Sequence, residues 1–356
     1  MKWLPDSWLL LFYLLAGTLS LVVLTSISPE RVGQQAFMFA LGLGFFIYLG
    51  SQESAVYKTF APLGYIVSVL MLIATMILGD PVRGSTRWIP IGSFQLQAGE
   101  FAKPLLVLAF AYFIKAMPPK TLKNIVINTL LFAIPAFLIF KQPDLGTALV
   151  VSSIWVAQMF VGGVSYYLIG LVSAVALIFA EFLPRFLHDY QLKRIETFID
   201  PFSDPLGAGY NVIQSIIAVG SGGFLGKGLG HGTQSHLRFL PERHTDFIFA
   251  SLAEELGMIG SILVIFCLGG LLHRLLHLGT HTPSSSSRLI YLGTFAYLFF
   301  QTFVNIGMNI GIAPVTGVTL PLISYGGSSV LATAITLGIA SSCARSDRGK
   351  ALIEIR

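Results

Sequence analysis

The densest group of ionisable residues in the sequence lies in the run Pro241–Phe247. Its charged or titratable members are Glu242, Arg243, His244 and Asp246. A carboxylate beside cations at a membrane surface suits a substrate with a hydroxyl to be deprotonated and a phosphate to be bound. Asp246 also stands where a polar segment becomes an apolar block, and an acid at a helix start often caps free backbone amides. Catalysis and capping both remain open for Asp246.

Basic side chains precede this run in the same long polar segment. They are Lys193, Arg194 and Arg238, together with His231 and His236. Cations placed there would stabilise the negative charge of a phosphate-bearing substrate. The spacing of the histidines fits no familiar zinc site, so zinc is not expected and the identity of any metal is unknown.

Glu100 and Lys103 are three residues apart at the outer end of an apolar block. Residues at this spacing share one face of a helix, close enough to pair. One interpretation is a self-neutralising pair that lowers the cost of membrane insertion. The other is a cavity-lining pair whose lysine meets a phosphate, because charges within membrane spans are usually functional. The sequence does not decide between them.

Two further polar residues stand beside apolar blocks. Asp144 follows Pro143 at the start of a block, and we interpret it as a helix N-cap that helps to shape a cavity. Arg87 precedes Trp88 in the outer segment 79–100. The glycine-rich run Gly220–Gly232 is expected to provide a tight backbone path at the membrane surface.

Composition identifies the elements that must position these residues. Of the 356 residues, 54% are hydrophobic and 11% are charged, and the mean hydropathy is +0.77. An average soluble domain has about 25% charged residues, so a soluble enzyme, a disordered chain and a collagen-like chain are excluded. Solid apolar blocks also disfavour an outer-membrane barrel. The net charge of +5 gives no reason to expect a nucleic-acid partner.

The pattern predicts an all-α polytopic membrane protein of about ten transmembrane helices, forming one integral membrane domain over residues 1–356. A large extracellular loop, 184–245, is expected between spans seven and eight. Two predicted spans are separated only by Gly162–Gly163. The predicted blocks are 8–28, 34–50, 60–78, 101–117, 123–140, 145–163, 164–183, 246–272, 288–312 and 327–345.

The distribution of lysine and arginine predicts the orientation. With both termini placed in the cytoplasm, most of these residues fall in inner segments. The short outer loops then hold only Arg31, Arg83, Arg87 and Lys141. This asymmetry follows the positive-inside rule and supports cytoplasmic termini.

Ordered motifs along nearly the whole chain resemble those of the SEDS glycosyltransferases, named for shape, elongation, division and sporulation. Ala98–Gly99 stand where the family usually has Pro-Ser, so a looser helix start without a local cap is expected. Arg243–His244 is more similar to the elongation branch than to the division branch. The motifs are Arg87–Trp88, Gln97-x-x-Glu100-x-x-Lys103, Gln142–Thr147, Asp204–Tyr210, Gln214–Ser215, Gly220–Gly223, His231–Gln234, Pro241–Phe249, Glu254–Gly257, Asn305–Met308, Pro314–Pro321 and Ser324–Ser328.

The resemblance implies polymerisation of peptidoglycan from lipid II on the outer face of the bacterial cytoplasmic membrane. The donor would be the glycan on undecaprenyl diphosphate, the acceptor the 4-hydroxyl of lipid II, and the base Asp246. A divalent cation, Mg or Mn, or basic side chains would stabilise the leaving diphosphate, with no nucleotide or organic cofactor. The substrate cavity would use Glu100, Lys103, Arg87, Asp144, Lys193, Arg194, Arg238, Arg243 and His244.

The resemblance also implies a partner, a class B penicillin-binding protein that crosslinks the glycan, alongside contact with membrane lipid. Two alternatives remain at this stage. A lipid II flippase would also be a helical bundle with buried charges, although its ionisable groups would be expected nearer the midplane. A scaffold for cell-wall enzymes would leave the outer carboxylate of Asp246 unexplained.

Overall fold

The computed structural model describes residues 5–82, 85–91, 94–165, 167, 170 and 189–354. The helices before the long polar segment are α1 (Ser7–Ile27), α2 (Pro29–Ser51), α3 (Ser54–Leu78), α4 (Ala98–Ala116), α5 (Leu122–Lys141) and α6 (Leu145–Val161). The later helices are α7 (Asp189–Ile199), α8 (Tyr210–Ser221), α9 (Thr233–His236), α10 (Ile248–His281), α11 (Ser285–Asn309) and α12 (Gly327–Glu354).

Seven of the described helices, α1, α2, α3, α5, α10, α11 and α12, are long and apolar enough to cross a membrane. Helix α4 contains three charged residues and α6 has 17 residues, and both pack within the same bundle. These nine helices correspond to nine of the ten predicted blocks. The remaining block, 164–183, lies almost entirely outside the described residues, so the tenth span stays a prediction.

Helix α12 is the central helix of the bundle, and 89% of its apolar window is buried. Small residues along it allow neighbouring backbones to approach closely. At Gly338, an added Cβ atom would lie 3.0 Å from the carbonyl oxygen of Phe46 in α2. This tight contact fixes α12 in the core and with it the polar segment that leads into its first turn.

A small antiparallel sheet, which the sequence analysis did not predict, lies between α3 and α4. Its strands are β1 (Asp80–Val82), β2 (Ser85–Ile91) and β3 (Phe94–Gln97), in the order β1-β2-β3. Trp88 in β2 pairs with Gln97 in β3. Because β3 leads directly into α4, the sheet places Arg87 and Trp88 close to the start of that helix.

The glycine-rich run folds tightly against α10, as the sequence predicted. Gly226 has φ +78°, and a Cβ atom there would lie 2.1 Å from the carbonyl oxygen of Glu255. The backbone N–H groups of Lys227 and Gly228 donate to the carbonyl oxygens of Glu254 and Glu255, at 2.9 and 3.0 Å. The run is therefore a structural layer over the first part of α10.

Candidate functional site

A polar cavity of about 620 Å³ opens at the end of the bundle where α2, α10 and α12 begin. It is lined by residues that are far apart in sequence. The sheet contributes Arg87 and Gln97, α2 contributes Arg31, α7 contributes Arg194, and the segments before α10 and α12 contribute further polar residues. Members of the lining with ionisable side chains are Arg31, Arg87, Arg194, Glu242, His244 and Asp246.

Asp246 lies half-buried in the wall of this cavity. It is not the N-cap of α10, because Phe247 occupies that position and the helix has no side-chain cap hydrogen bond. Its carboxylate faces Gly317 across the cavity wall: a Cβ atom at Gly317 would lie 3.7 Å from Asp246 Oδ2. The capping interpretation of Asp246 is therefore wrong, and its predicted catalytic role stays a prediction.

His244 lines the cavity as a neutral residue. Burial, followed by the positive charge of Arg31, lowers the pKa of His244 to about 4. Its ring contacts Tyr325 edge to face, with centroids 5.6 Å apart. His244 therefore supplies no positive charge at neutral pH, in contrast to the expectation that it and Arg243 surround Asp246 with charge.

Arg243 is not among the cavity-lining residues. Its Nε donates to the carbonyl oxygen of Ile27 at 3.1 Å, which ties the end of α1 to the segment before α10. The cationic side chains that do line the cavity are Arg31, Arg87 and Arg194. The sequence predicted the second and third of these as binding residues, and it missed Arg31.

Arg31 belongs to a group of residues close to the points where α2 and α12 begin. Its guanidinium lies 4.9 Å from the centroid of the Tyr325 ring, and the Tyr325 hydroxyl donates to Gln34 Oε1 at 2.6 Å. The sequence indicates Arg31 only as one of the basic residues of the predicted short outer loops. The signal that could have found it is the coincidence of polar side chains at the outer ends of several helices.

Asp144 acts as the helix cap that the sequence predicted. Its Oδ1 accepts from the backbone N–H of Thr147 at 3.1 Å, and its Oδ2 accepts from the Thr147 hydroxyl at 2.9 Å. The same carboxylate lies 3.8 Å from Arg87 Nη1, and Arg87 also donates to the carbonyl oxygen of Pro143. Asp144 thereby holds Arg87 at the cavity, although it is not itself a lining residue.

Glu100 and Lys103 form the predicted ion pair, with Nζ and Oε1 2.6 Å apart. Lys103 is fully buried, and its ammonium lies 4.9 Å from the centroid of the Tyr297 ring. Neither residue lines the cavity. Gln97, one turn earlier, does line it, so the pair lies beneath the cavity wall in the bundle.

The start of α4 has no side-chain cap, as expected from Ala98–Gly99. The glycine allows a close helix contact, because a Cβ atom at Gly99 would lie 3.2 Å from Cγ2 of Thr147 in α6. The departure from the usual family pattern therefore coincides with tight packing of α4 against α6.

The remaining predicted binding residues lie away from the cavity. Lys193 pairs with Asp204 at 3.3 Å on the surface, and the pKa of Asp204 is lowered by the backbone N–H of Ala208 and then by Lys193. Arg238 is exposed with φ +61°. Their proposed contacts with substrate stay predictions.

Glu254 and Glu255, about two turns after Asp246 in the chain, lie away from the cavity lining. Both are fully buried and face the glycine-rich layer. Glu254 Oε1 accepts from Lys227 Nζ at 2.8 Å, and Glu255 Oε1 lies 2.8 Å from Nε2 of His236. Within the described part of the chain, no group of three His, Cys, Asp or Glu side chains is arranged to hold a metal ion.

The fold and this cavity define a multi-pass α-helical membrane protein with two carboxylates, Glu242 and Asp246, and three arginines at one face. Residues 7–349 match the profile of the FtsW, RodA and SpoVE proteins, described as cell cycle proteins. The chain belongs to this family.

Relatives and solved structures extend the comparison. Peptidoglycan glycosyltransferase MrdB of Escherichia coli K12 is 41% identical over 342 residues, covering 95% of this chain and 92% of the relative. The probable peptidoglycan glycosyltransferase FtsW of Coxiella burnetii is 34% identical, covering 95% of each. A chain from a peptidoglycan synthase complex superposes with a TM-score of 0.83 at 34% identity, covering 96% of this chain and 98% of that one. RodA of Thermus thermophilus gives a TM-score of 0.73 at 30% identity, covering 96% and 97%.

Proposed function

We propose that this chain is a peptidoglycan glycosyltransferase that polymerises lipid II on the outer face of the bacterial cytoplasmic membrane during cell elongation. The observation that carries the proposal is the cavity in which Asp246 shares a wall with Arg31, Arg87 and Arg194. The names of the relatives support the same activity. They favour it over a lipid II transporter, as does the position of the arginines at one end of the bundle.

In the proposed reaction, Asp246 accepts the proton of the 4-hydroxyl of the incoming lipid II. The hydroxyl oxygen attacks the anomeric carbon of the growing glycan, and the bond from that carbon to the diphosphate breaks. Undecaprenyl diphosphate leaves with the bonding electron pair, and attack opposite the leaving group inverts the anomeric centre. The three arginines stabilise the charge on the diphosphate.

A divalent cation, Mg or Mn, is compatible with the lining of the cavity. Asp246 and Glu242 both contribute carboxylates to it. Mg²⁺ is often bound through one or two carboxylates together with substrate phosphates, so these two residues would hold it. A bound cation would stabilise the negative charge of the leaving diphosphate.

Contacts between the chain ends support the proposed topology. The backbone N–H of Asp6, just before α1, donates to Ser341 Oγ far along α12, at 2.6 Å. Helix α12 begins at the cavity, so both chain ends lie towards the opposite end of the bundle. When both ends of a chain lie on the same side of a membrane, the chain crosses it an even number of times. This agrees with ten spans and with both termini in the cytoplasm.

The activity is tested with purified protein and lipid II in vesicles, with glycan polymer detected on a gel. Polymer from the wild-type chain is expected, and a second assay measures movement of fluorescent lipid II between leaflets. Transport without polymer would overturn the proposal and establish the flippase alternative. Neither activity, under conditions in which MrdB polymerises lipid II, would also reject the proposal.

A further inference from the structure

Three consecutive carbonyl oxygens in the segment that contains Asp246 are each held by another part of the chain. The His244 carbonyl accepts from the backbone N–H of Tyr325 at 2.8 Å. The Thr245 carbonyl accepts from Ser324 Oγ at 2.7 Å. The Asp246 carbonyl accepts two bonds, both from α11. Hydrogen bonds from other parts of the chain thus fix the position of the backbone at residues 244–246.

The two donors to Asp246 are side-chain amides on one face of α11, four residues apart. Asn305 Nδ2 and Asn309 Nδ2 each lie 3.0 Å from the Asp246 carbonyl oxygen. Both asparagines are fully buried. Hydrogen bonds that are fully satisfied in a low-dielectric interior rigidify the groups they join.

Asn305 also holds the opposite wall of the cavity. Its Nδ2 donates to the carbonyl oxygen of Val318 at 2.8 Å. Val318 lies between Gly317 and Thr319, which line the cavity, and Gly317 is the residue that Asp246 Oδ2 faces. One amide group therefore sets the separation between the Asp246 segment and the wall across from it.

Asn309 connects the same carbonyl to two further helices. Its Oδ1 accepts from the backbone N–H of Ala250 in the first turn of α10 at 3.0 Å. The Ser215 hydroxyl of α8 lies 2.9 Å from the Asn309 carbonyl oxygen and 3.3 Å from its Oδ1. The asparagine pair thus joins Asp246 to α8, α10 and α11 together.

External support is needed because the local backbone does not determine this position. Phe247, rather than Asp246, is the N-cap, and no side-chain cap closes the first turn of α10. Four residues earlier, Glu242 has φ +51°, so the segment is irregular. A carboxylate on such a segment would otherwise vary in its distance from a bound hydroxyl.

We infer that Asn305 and Asn309 are positioning residues that hold the Asp246 carboxylate at a fixed distance from the Gly317–Thr319 wall. Neither asparagine lines the cavity, so both act through the backbone of the segment rather than on the substrate. The inference rests on the proposed function of Asp246 as the base.

The test compares Asn305→Leu and Asn309→Leu with Asn128→Leu. Leucine has the same branched shape as asparagine and removes the donors, and its larger volume is the same change at all three positions. The control, Asn128, is buried in α5, away from the cavity, and donates to the carbonyls of Met117 and Asn124 at 2.9 and 2.8 Å. Asn128→Leu therefore removes two hydrogen bonds to backbone carbonyls, the same number as Asn305→Leu.

Asn305→Leu is expected to lower kcat about 10- to 100-fold, because a displacement of about 1 Å can cost 10²-fold. Its KM for lipid II should stay within about threefold of wild type, since Arg31, Arg87 and Arg194 are unchanged. Asn309→Leu should act in the same direction, and Asn128→Leu should lower the thermal unfolding temperature with little change in kcat. Wild-type kcat in Asn305→Leu, or an equal loss in Asn128→Leu, would overturn the inference.

Two additional measurements keep the test decisive. Ser324→Ala removes a single oxygen that holds the Thr245 carbonyl, and it should lower kcat about three- to tenfold even where Asn305→Leu fails to fold. Hydrogen exchange of the backbone amides reports how firmly these segments are held, and it does not depend on an activity assay. Asn305→Leu should accelerate exchange selectively in residues 244–250 and 316–320. Unchanged exchange there rejects the inference, whereas selective acceleration in Asn305→Leu, combined with the absence of polymer from the wild-type protein, rejects only the proposed function.

Discussion

The sequence indicates Asp246 as a candidate site residue because several ionisable groups lie close together there, and the structure places it in the cavity lining. Its neighbours could not be identified in the same way. Arg243 donates to the carbonyl oxygen of Ile27, and His244 is neutral. The residues next to Asp246 in the sequence therefore place no positive charge in the cavity beside it. The cationic side chains that line the cavity come from α2, the sheet and α7, and only the folded chain brings them together.

We expect Asp246→Asn to abolish glycan polymerisation, with a loss of at least about 10²–10⁴-fold. Asparagine has the same shape but cannot accept the proton. Expression and membrane insertion should be unchanged, because Asp246 is not the helix cap. The gel assay with lipid II measures the effect. Asp200→Asn, which alters an exposed cap of a 3-10 turn in the same long segment, is the matched control and should be fully active. Near wild-type polymer from Asp246→Asn would reject the base assignment.

The low pKa of His244 predicts how stability depends on pH. Its folded-state pKa is about 4 and its ordinary value is 6.5, so the unfolded chain binds more protons between these values. Stability should therefore rise with pH from about 4 to about 6.5 and then level off with respect to this group. Unfolding temperatures in detergent should show this rise, and His244→Gln should reduce it. An identical pH dependence in both proteins would show that His244 is not responsible.

At the scale of elements, the apolar blocks predicted the helices well, because long hydrophobic runs leave few alternatives in a bilayer. The bounds were less accurate: α4 begins at Ala98 rather than near 101, and α10 continues to His281 rather than 272. The small sheet was missed because its strands are short and their pairing depends on turns rather than on hydropathy. The role of Glu254 was also missed, since its partners are in the glycine-rich layer.

We expect both activity and stability to depend on Glu100 and Lys103 as a pair. Glu100→Gln should lower both activity and unfolding temperature strongly, because it leaves the Lys103 charge buried without its partner, at a cost of about 3–5 kcal/mol. The double variant Glu100→Gln, Lys103→Met should recover a substantial part of the lost stability, since it leaves no unpaired charge. Thermal unfolding and the polymerisation assay are measured on all three proteins. Normal activity and stability in Glu100→Gln would contradict the importance of the pair.

At the scale of the whole molecule, the cavity is built from α2, the small sheet, α7 and the segments that lead into α10 and α12, and a partner would meet that same face. We predict weak polymerisation by the chain alone and higher activity with its class B penicillin-binding protein. Docking over the segment before α10 would shift the population towards the competent arrangement. An increase of about 5- to 150-fold is expected from a typical coupling energy. Asp246→Asn with the partner should remain inactive, and equal turnover with and without partner at saturating lipid II would argue against this coupling.

The interruption of α10 at Gly257 has a consequence for how the site responds to its membrane. Gly257 has φ +64° and ψ −157°, so the nine residues before it, 248–256, form a separate short helix that is bonded to the glycine-rich layer. The long portion after it exposes Ile259, Ile262 and Ile265, and a change in bilayer thickness favours a change in its tilt. Because the break lies between them, tilt of the lipid-facing portion is not passed rigidly to the Asp246 wall. We therefore expect the geometry of the cavity to depend little on lipid chain length.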